Sequence, residues 1–175
     1  MFFQQITLAY RRKTGVLRRR WEVDVNPLDS AETAADLLQS LFGLEGKVVV
    51  VTGGGTGLGR ETARLFAGAG ATVIVADLDV SKARHVADEA SVAALFEIVR
   101  DELGGATIFV NNARIYPIKP LLEISAEDWS RVLDNNLKEA FLCTRAAVIQ
   151  MQAGGRGGRI VNISSIASVH PALKG

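Results

Sequence analysis

Between Thr52 and Gly59 the chain reads Thr-Gly-Gly-Gly-Thr-Gly-Leu-Gly, with glycine where a backbone must turn sharply and let a ligand come close. Gly53, Gly57 and Gly59 have no Cβ, so main-chain N–H groups can close around a pyrophosphate. A helix beginning near Gly57 aims its free N–H groups and the positive end of its dipole at the same anion. Such a loop also occurs as a plain strand-to-helix turn, and its surroundings favour the phosphate reading. A four-valine run at 48–51 precedes it, as a strand buried on both faces requires. A second apolar run, 71–76, stops at Asp77, and 18 residues separate Gly59 from that acid. The expected distance is roughly 20 for a carboxylate that grips an adenosine ribose. A carboxylate there accepts hydrogen bonds from the ribose hydroxyls and repels a 2′-phosphate, so NAD is expected over NADP. The competing reading of Asp77 is a solvated turn acid or a cap.

Three helical patterns are predicted around these strands. After the loop, Leu58, Thr62, Leu65, Phe66 and Ala69 share one helical face and Gly70 stops it. Val92, Leu95, Phe96, Val99 and Leu103 form a second amphipathic face ending at Gly104. Ser125 with Asp128 reads as a capping box opening a long helix, 126–151, that carries Trp129, Val132, Leu133, Leu137, Phe141 and Val148. The glycine-rich stretch 151–158 is expected to be an exposed loop. Strands are expected near 47–52, 71–76, 106–111 and 159–164. Strands alternating with helices predict an α/β doubly wound parallel sheet, with ligand at the crevice beyond the strands' carboxyl ends.

The spacing Thr52-Gly53-x-x-x-Gly57-x-Gly59 resembles the short-chain dehydrogenase/reductase family, and further segments match in the family's order. Asn111-Asn112-Ala113 follows an apolar strand. Asp134-Asn135-Asn136-Leu137 lies in the long helix. Arg159 to Ser165, Arg-Ile-Val-Asn-Ile-Ser-Ser, closes the series. The resemblance covers about residues 44–175. It implies an NAD-binding Rossmann-like fold and hydride transfer between NAD(H) and a small alcohol or carbonyl substrate. The cofactor-binding set it implies is Thr52, Gly53, Thr56, Gly57, Leu58, Gly59, Asp77, Asn112 and Ala113. Ser165 would polarise the substrate oxygen, and Asn136 would orient water in a proton relay. The long helix would contribute to a homo-oligomer, with Trp129 and Phe141 in the core or the interface.

Departures from the family pattern are also legible. The family's proton donor is a tyrosine with a lysine four residues later, whose charge lowers the phenol's pKa. That tyrosine should follow the serine by about a dozen residues, and only ten residues follow Ser165; the tyrosines of this chain are Tyr10 and Tyr116, and Lys174 has no tyrosine four positions before it. The sequence therefore reads as truncated before that pair, and as inactive by itself. A non-catalytic nucleotide-binding module and a non-functional fragment are the alternatives. Thirteen residues, 78–90, separate Asp77 from the next helix, too few for a helix and a third strand when a mean helix takes 11–12. The sheet is thus expected to be incomplete, lacking the third strand and the C-terminal strands. Two bare apolar edges and a weakly stable or poorly soluble product should result. His85-Val86-Ala87-Asp88 reads either as the adenine-contacting segment or as part of a shortened helix. Arg114 replaces a family glycine and is expected to crowd the cofactor. Tyr116 and Pro117 line the site or simply pack a loop.

Composition bounds the remainder. Apolar residues at 48% and charged residues at 22% are ordinary for one globular domain. The net charge of +1 hides an asymmetry, because residues 1–21 hold six basic residues and no acid. That segment suits a transit peptide, an anionic-surface arm or a nucleic-acid contact, although it has no serine; the other reading is a disordered or mis-assigned start. Residues 1–43 are read as a basic extension with a short helix begun by Asp29-Ser30-Ala31-Glu32, and 44–175 as a partial NAD(P)-binding domain. No apolar run approaches the ~20 residues of a membrane span. A single cysteine, Cys143, excludes disulfides within the chain and is read as core packing. Cytoplasmic residence is expected, with organellar targeting by the basic N-terminus as the alternative, and neither nucleic acid nor metal is expected.

Overall fold

A computed structural model of the chain describes residues 5–9, 42–77, 89–155 and 157–165. The predicted helix at 29–43, the basic run 11–20, the segment 85–88 and Lys174 lie outside the described residues, apart from the last residues of that helix. The elements run β1 (Gln5–Ala9), β2 (Val48–Thr52), α1 (Gly57–Gly68), β3 (Thr72–Asp77), α2 (Glu89–Leu103) and β4 (Ile108–Asn111). A 3-10 turn (Leu121–Glu123), α3 (Ala126–Leu133), a π-helical turn (Asp134–Lys138), α4 (Glu139–Ala153) and β5 (Arg159–Asn162) follow.

The five strands form one sheet in the order β1-β3-β2-β4-β5. Strands β3, β2, β4 and β5 are parallel, with Val48 opposite Thr72 and Val49 opposite Ile108. The chain moves from β2 to β3 on one side and then crosses to β4 on the other, so the sheet reverses direction at β2. Alternate residues of the valine run feed different cores. Val48 and Val50 join Ile74, Ala76 and Phe109 beneath α2 and α4. Val49 and Val51 join Val73, Ile108 and Val110 on the opposite face, against α1. Burial on both faces is why the run needs no polar alternation.

One edge differs from expectation. Gln5–Ala9 pairs antiparallel with the outer side of β3, from Gln5 opposite Asp77 to Ala9 opposite Val73. One edge expected to be bare is therefore occupied, by residues assigned to the extension. At the opposite edge the expected bare strand is found: β5 is mostly exposed, and no described strand lies beyond it. Among the described residues, no helix is long and apolar enough to cross a membrane.

Helix faces also differ. In α1 the small residues Gly59 and Ala63 are buried, with Phe66 and Ala67 packed beside them, while Leu58 and Leu65 are exposed. Close approach to the sheet selects the small residues and turns the leucines outward. The helix closes as predicted at Gly70, whose φ is +95°. Its N–H reaches the Ala67 carbonyl and the Ala71 N–H reaches that of Phe66. In α2 the predicted face, Val92, Leu95, Phe96 and Val99, is buried as expected. The long helix is not one uninterrupted α-helix, because the π turn at 134–138 divides it. Its buried residues are Asn135, Glu139, Leu142, Cys143, Ala147 and Met151, whereas Trp129, Leu133, Leu137 and Phe141 are exposed rather than in the core.

Candidate functional site

Parallel strands bring the carboxyl ends of β2, β3, β4 and β5 to one side of the sheet, and the sequence-predicted site residues collect there. The tightest part is the glycine loop after β2. Gly53 has φ +63° and Gly57 has φ +53°, conformations that L side chains rarely adopt. A Cβ on Gly53 would lie 2.8 Å from the Ala113 Cα. At Gly59 it would overlap the Gly53 carbonyl oxygen and the Asn112 amide nitrogen. Gly57 has open space around it and needs only its backbone freedom.

Thr52 and Asn112 lock this loop to the end of β4. The Thr52 Oγ1 accepts from the N–H groups of Asn112 and Ala113, each at 3.1 Å, and donates to the Val110 carbonyl at 3.4 Å. Asn112 Nδ2 donates to the carbonyls of Thr52 at 3.0 Å and Gly53 at 2.9 Å. These side-chain atoms are engaged with protein, so Thr52 and Asn112 shape the cradle from behind. Ala113 makes the close approach to Gly53. Arg114, which replaces the family glycine directly after Ala113, is exposed.

Asp77 is the last residue of β3, and its Oδ2 accepts the Gly55 N–H at 2.6 Å. A Cβ on Gly55 would collide with that carboxylate. Gly55 was missed by reasoning from the Gly53-Gly57-Gly59 spacing. The signal was present in the three consecutive glycines, and the tertiary contacts show what a Cβ would meet at each: Ala113 at Gly53, Val75 at Gly54 and Asp77 at Gly55.

The loop leads into α1 through Thr56, whose φ of −142° and ψ of 168° make it the N-cap. Its side chain forms no cap hydrogen bond, and the first turn of α1 carries no acidic residue. No side chain from the helix's own first turn therefore offsets the positive end of its dipole. Leu58 projects into solvent from that first turn.

Asn136 sits in the π turn. Its Oδ1 accepts the Ile115 N–H and its Nδ2 donates to the Ile115 carbonyl, both at 2.9 Å. The side chain thus clamps the loop after β4, and the irregular turn presents it, in line with the frequent occurrence of π turns at functional sites. Ser165 follows β5 by three residues and is exposed at the same sheet edge. The strand leading to it is held by Asn111, whose Nδ2 donates to Asn162 Oδ1 at 2.7 Å and Thr144 Oγ1 at 2.8 Å. Tyr116 is exposed on the loop between β4 and α3.

Beneath the site, Glu139 is buried and its Oε2 has no hydrogen-bond partner. Burial, with a smaller contribution from Asp77, pushes its carboxyl up to about 7. One turn on, burial pushes the Cys143 thiol up to about 12, with Glu139 adding to the shift, which fits an inert core cysteine. Among the described residues, no cluster of His, Cys, Asp and Glu could hold a metal ion.

A dinucleotide fits this arrangement on structural grounds. Glycines 53, 55 and 59 stand where any Cβ would clash, an uncapped helix N-terminus faces outward, and a carboxylate closes the far side. Gly57 to Gly59 would hold the phosphates and Asp77 the ribose.

Comparison with known proteins gives the same direction. The family model described as short chain dehydrogenase matches residues 47–175. Galactitol 2-dehydrogenase of Agrobacterium fabrum is 37% identical over 139 residues, covering 71% of this chain and 54% of that protein. The 3-oxoacyl-[acyl-carrier-protein] reductase FabG of Vibrio cholerae is 34% identical over 138 residues, covering 70% and 56%. A crystal structure assigned to a short-chain alcohol dehydrogenase of Sinorhizobium meliloti 1021 matches with a TM-score of 0.64 at 30% identity, covering 74% of this chain and 58% of that one. The chain spans about half the length of the curated relatives it matches. With the ordered motifs at one sheet edge and a family model that matches well over half of its residues, this chain belongs to the short-chain dehydrogenase/reductase family, whose members use nicotinamide cofactors.

Proposed function

We propose that these residues form the dinucleotide-binding part of an NAD-dependent oxidoreductase, one that transfers hydride between NAD(H) and a small alcohol or carbonyl compound. The observation that carries the reading is the Asp77 carboxylate fixed against the Gly55 N–H at the rim of an uncapped helix N-terminus. An acid in that position suits the two hydroxyls of an adenosine ribose and disfavours a 2′-phosphate, which supports NAD over NADP. Residues 44–175 act as the nucleotide-binding unit, and residues 1–43 extend it.

Ser165 and Asn136 are the residues proposed to meet the substrate oxygen and the proton relay. The proton donor is the missing part. Tyr116, the tyrosine within the matched region, stands on an exposed loop in no position paired with a lysine four residues on. These 175 residues by themselves are therefore proposed to bind the coenzyme without turning over substrate. The exposed row Trp129, Leu133, Leu137 and Phe141 along the helical segment 126–151 supports a homo-oligomer through that face.

NADH fluorescence titration, run beside alcohol oxidation over a substrate panel, tests the reading. Saturable NADH binding without turnover is the expected result. Absence of binding removes the dinucleotide assignment, and steady turnover by the pure chain removes the claim of inactivity.

A further inference from the structure

The outer edge of β3 carries a second role for the N-terminal residues. Strand β1 pairs with β3 over five positions, and the register ends with Gln5 opposite Asp77, the residue whose side chain holds the glycine loop. On the inner side, the Thr72 N–H donates to the Lys47 carbonyl at 2.9 Å and the Ala76 carbonyl accepts the Gly53 N–H at 2.7 Å. Main-chain groups alternate sides along a strand. Thr72, Ile74 and Ala76 therefore face β2, and Val73, Val75 and Asp77 turn their N–H and C=O groups toward β1. Thr7 stands opposite Val75, at the centre of that ladder.

We propose that Gln5–Ala9 is a positioning element for the dinucleotide cradle, holding the end of β3 from its outer side so that the Asp77 carboxylate stays on the Gly55 N–H. The inference rests on the NAD-binding reading for its functional meaning, but its structural claim is independent of it. Asp77 is terminal in its strand, and strand ends fray when one flank lacks a ladder. Fraying there moves the acid and frees the Gly55 N–H together, because a single hydrogen bond joins them. A segment from outside the nucleotide-binding unit thereby sets the shape of the ribose site.

The test uses the full chain carrying Thr7→Pro, which removes one N–H from the ladder and resists pairing, with Thr7→Val as the variant that keeps the N–H. Native-state amide exchange is read at Val73, Val75, Asp77 and Gly55, with Val50 and Phe109 in the sheet centre reporting the intact fold. Thr7→Pro should speed exchange at the first four amides about tenfold or more, leaving Val50 and Phe109 unchanged. Thr7→Val should match the parent. NADH affinity should fall about tenfold in Thr7→Pro alone, the same factor carried into binding. Unchanged exchange at Gly55 overturns the proposal, as does a loss of protection that spreads equally to Val50 and Phe109. If the parent chain binds no NADH, the functional reading fails, while the Gly55 amide still decides whether β1 positions Asp77.

Discussion

Two helix N-termini in this molecule begin with similar residues and end in opposite states. At α3, Ser125 Oγ accepts the Asp128 N–H at 3.0 Å, and the Asp128 carboxylate accepts the Ser125 N–H at 3.3 Å. Lys119 adds an ion pair at 2.6 Å. Hydrogen bonds from Lys119 and Ser125 hold the Asp128 carboxyl down at about 2. At α1, Thr56 occupies the N-cap, but three residues later stands Gly59 rather than an acid, and the threonine side chain caps nothing. No acid could be accommodated there, since even a Cβ on Gly59 meets the Gly53 carbonyl and Asn112. The difference separates a structural helix end, satisfied by its own side chains, from one left open to an anion from outside.

Filling the open end should break the comparison most strongly. Gly59→Ala forces a methyl group into backbone and Asn112, and overpacking of this kind costs about 1–3 kcal/mol. Denaturant unfolding should show that loss, and NADH titration should show binding abolished. A variant that stays fully stable and still binds would remove the close packing argued for the loop.

Burial beneath the open end makes the next largest effect. The Glu139 carboxyl, raised to about 7 from 4.5, keeps in the folded state a proton that the unfolded chain releases. Stability is therefore fully present below about 4.5 and declines as pH rises through about 7, by about 3 kcal/mol in all. Glu139→Gln should flatten that decline and raise the unfolding midpoint at pH 8. An unaltered pH profile in the variant would count against a buried, unpaired acid.

Asp77→Asn keeps the size of the side chain and removes its charge. NADH should bind about tenfold more weakly, a difference of about 1.4 kcal/mol, and discrimination against NADPH should narrow. Equal preference in parent and variant would show that Asp77 does not select the ribose.

The closed end should respond least. Ser125→Ala removes one cap and should cost about 1 kcal/mol by chemical denaturation, with NADH affinity unchanged. Acid titration sharpens the contrast between the two carboxyls. The lowered Asp128 carboxyl contributes stability that is present above about 3.8 and lost as pH falls toward about 2, the reverse of Glu139.

Much of this was written locally in the chain. Glycine spacing, the valine run, the α2 face and the Ser125-Asp128 box depend on neighbours within a few residues, and the structure keeps each of them. Faces chosen by close packing were not legible in the same way. Periodicity put Leu58 and Leu65 inside because they are apolar, whereas the sheet accepts Gly59 and Ala63 because they are small. Along residues 126–151, too, burial does not follow apolarity alone, since Asn135 and Glu139 are buried while Trp129, Leu133, Leu137 and Phe141 face outward.

Sequence alone thus determined the family, the strand-loop-helix unit that can hold a phosphate, and the acid that follows it at the right interval. Tertiary structure decided that Gly55 is the amide held by Asp77, that Thr52 and Asn112 work as staples, and that residues 5–9 occupy the edge beside Asp77. The physical reason is range. Turns and amphipathic patterns are set by adjacent residues, while contacts between residues separated by tens of positions depend on which surfaces meet once the chain has closed on itself.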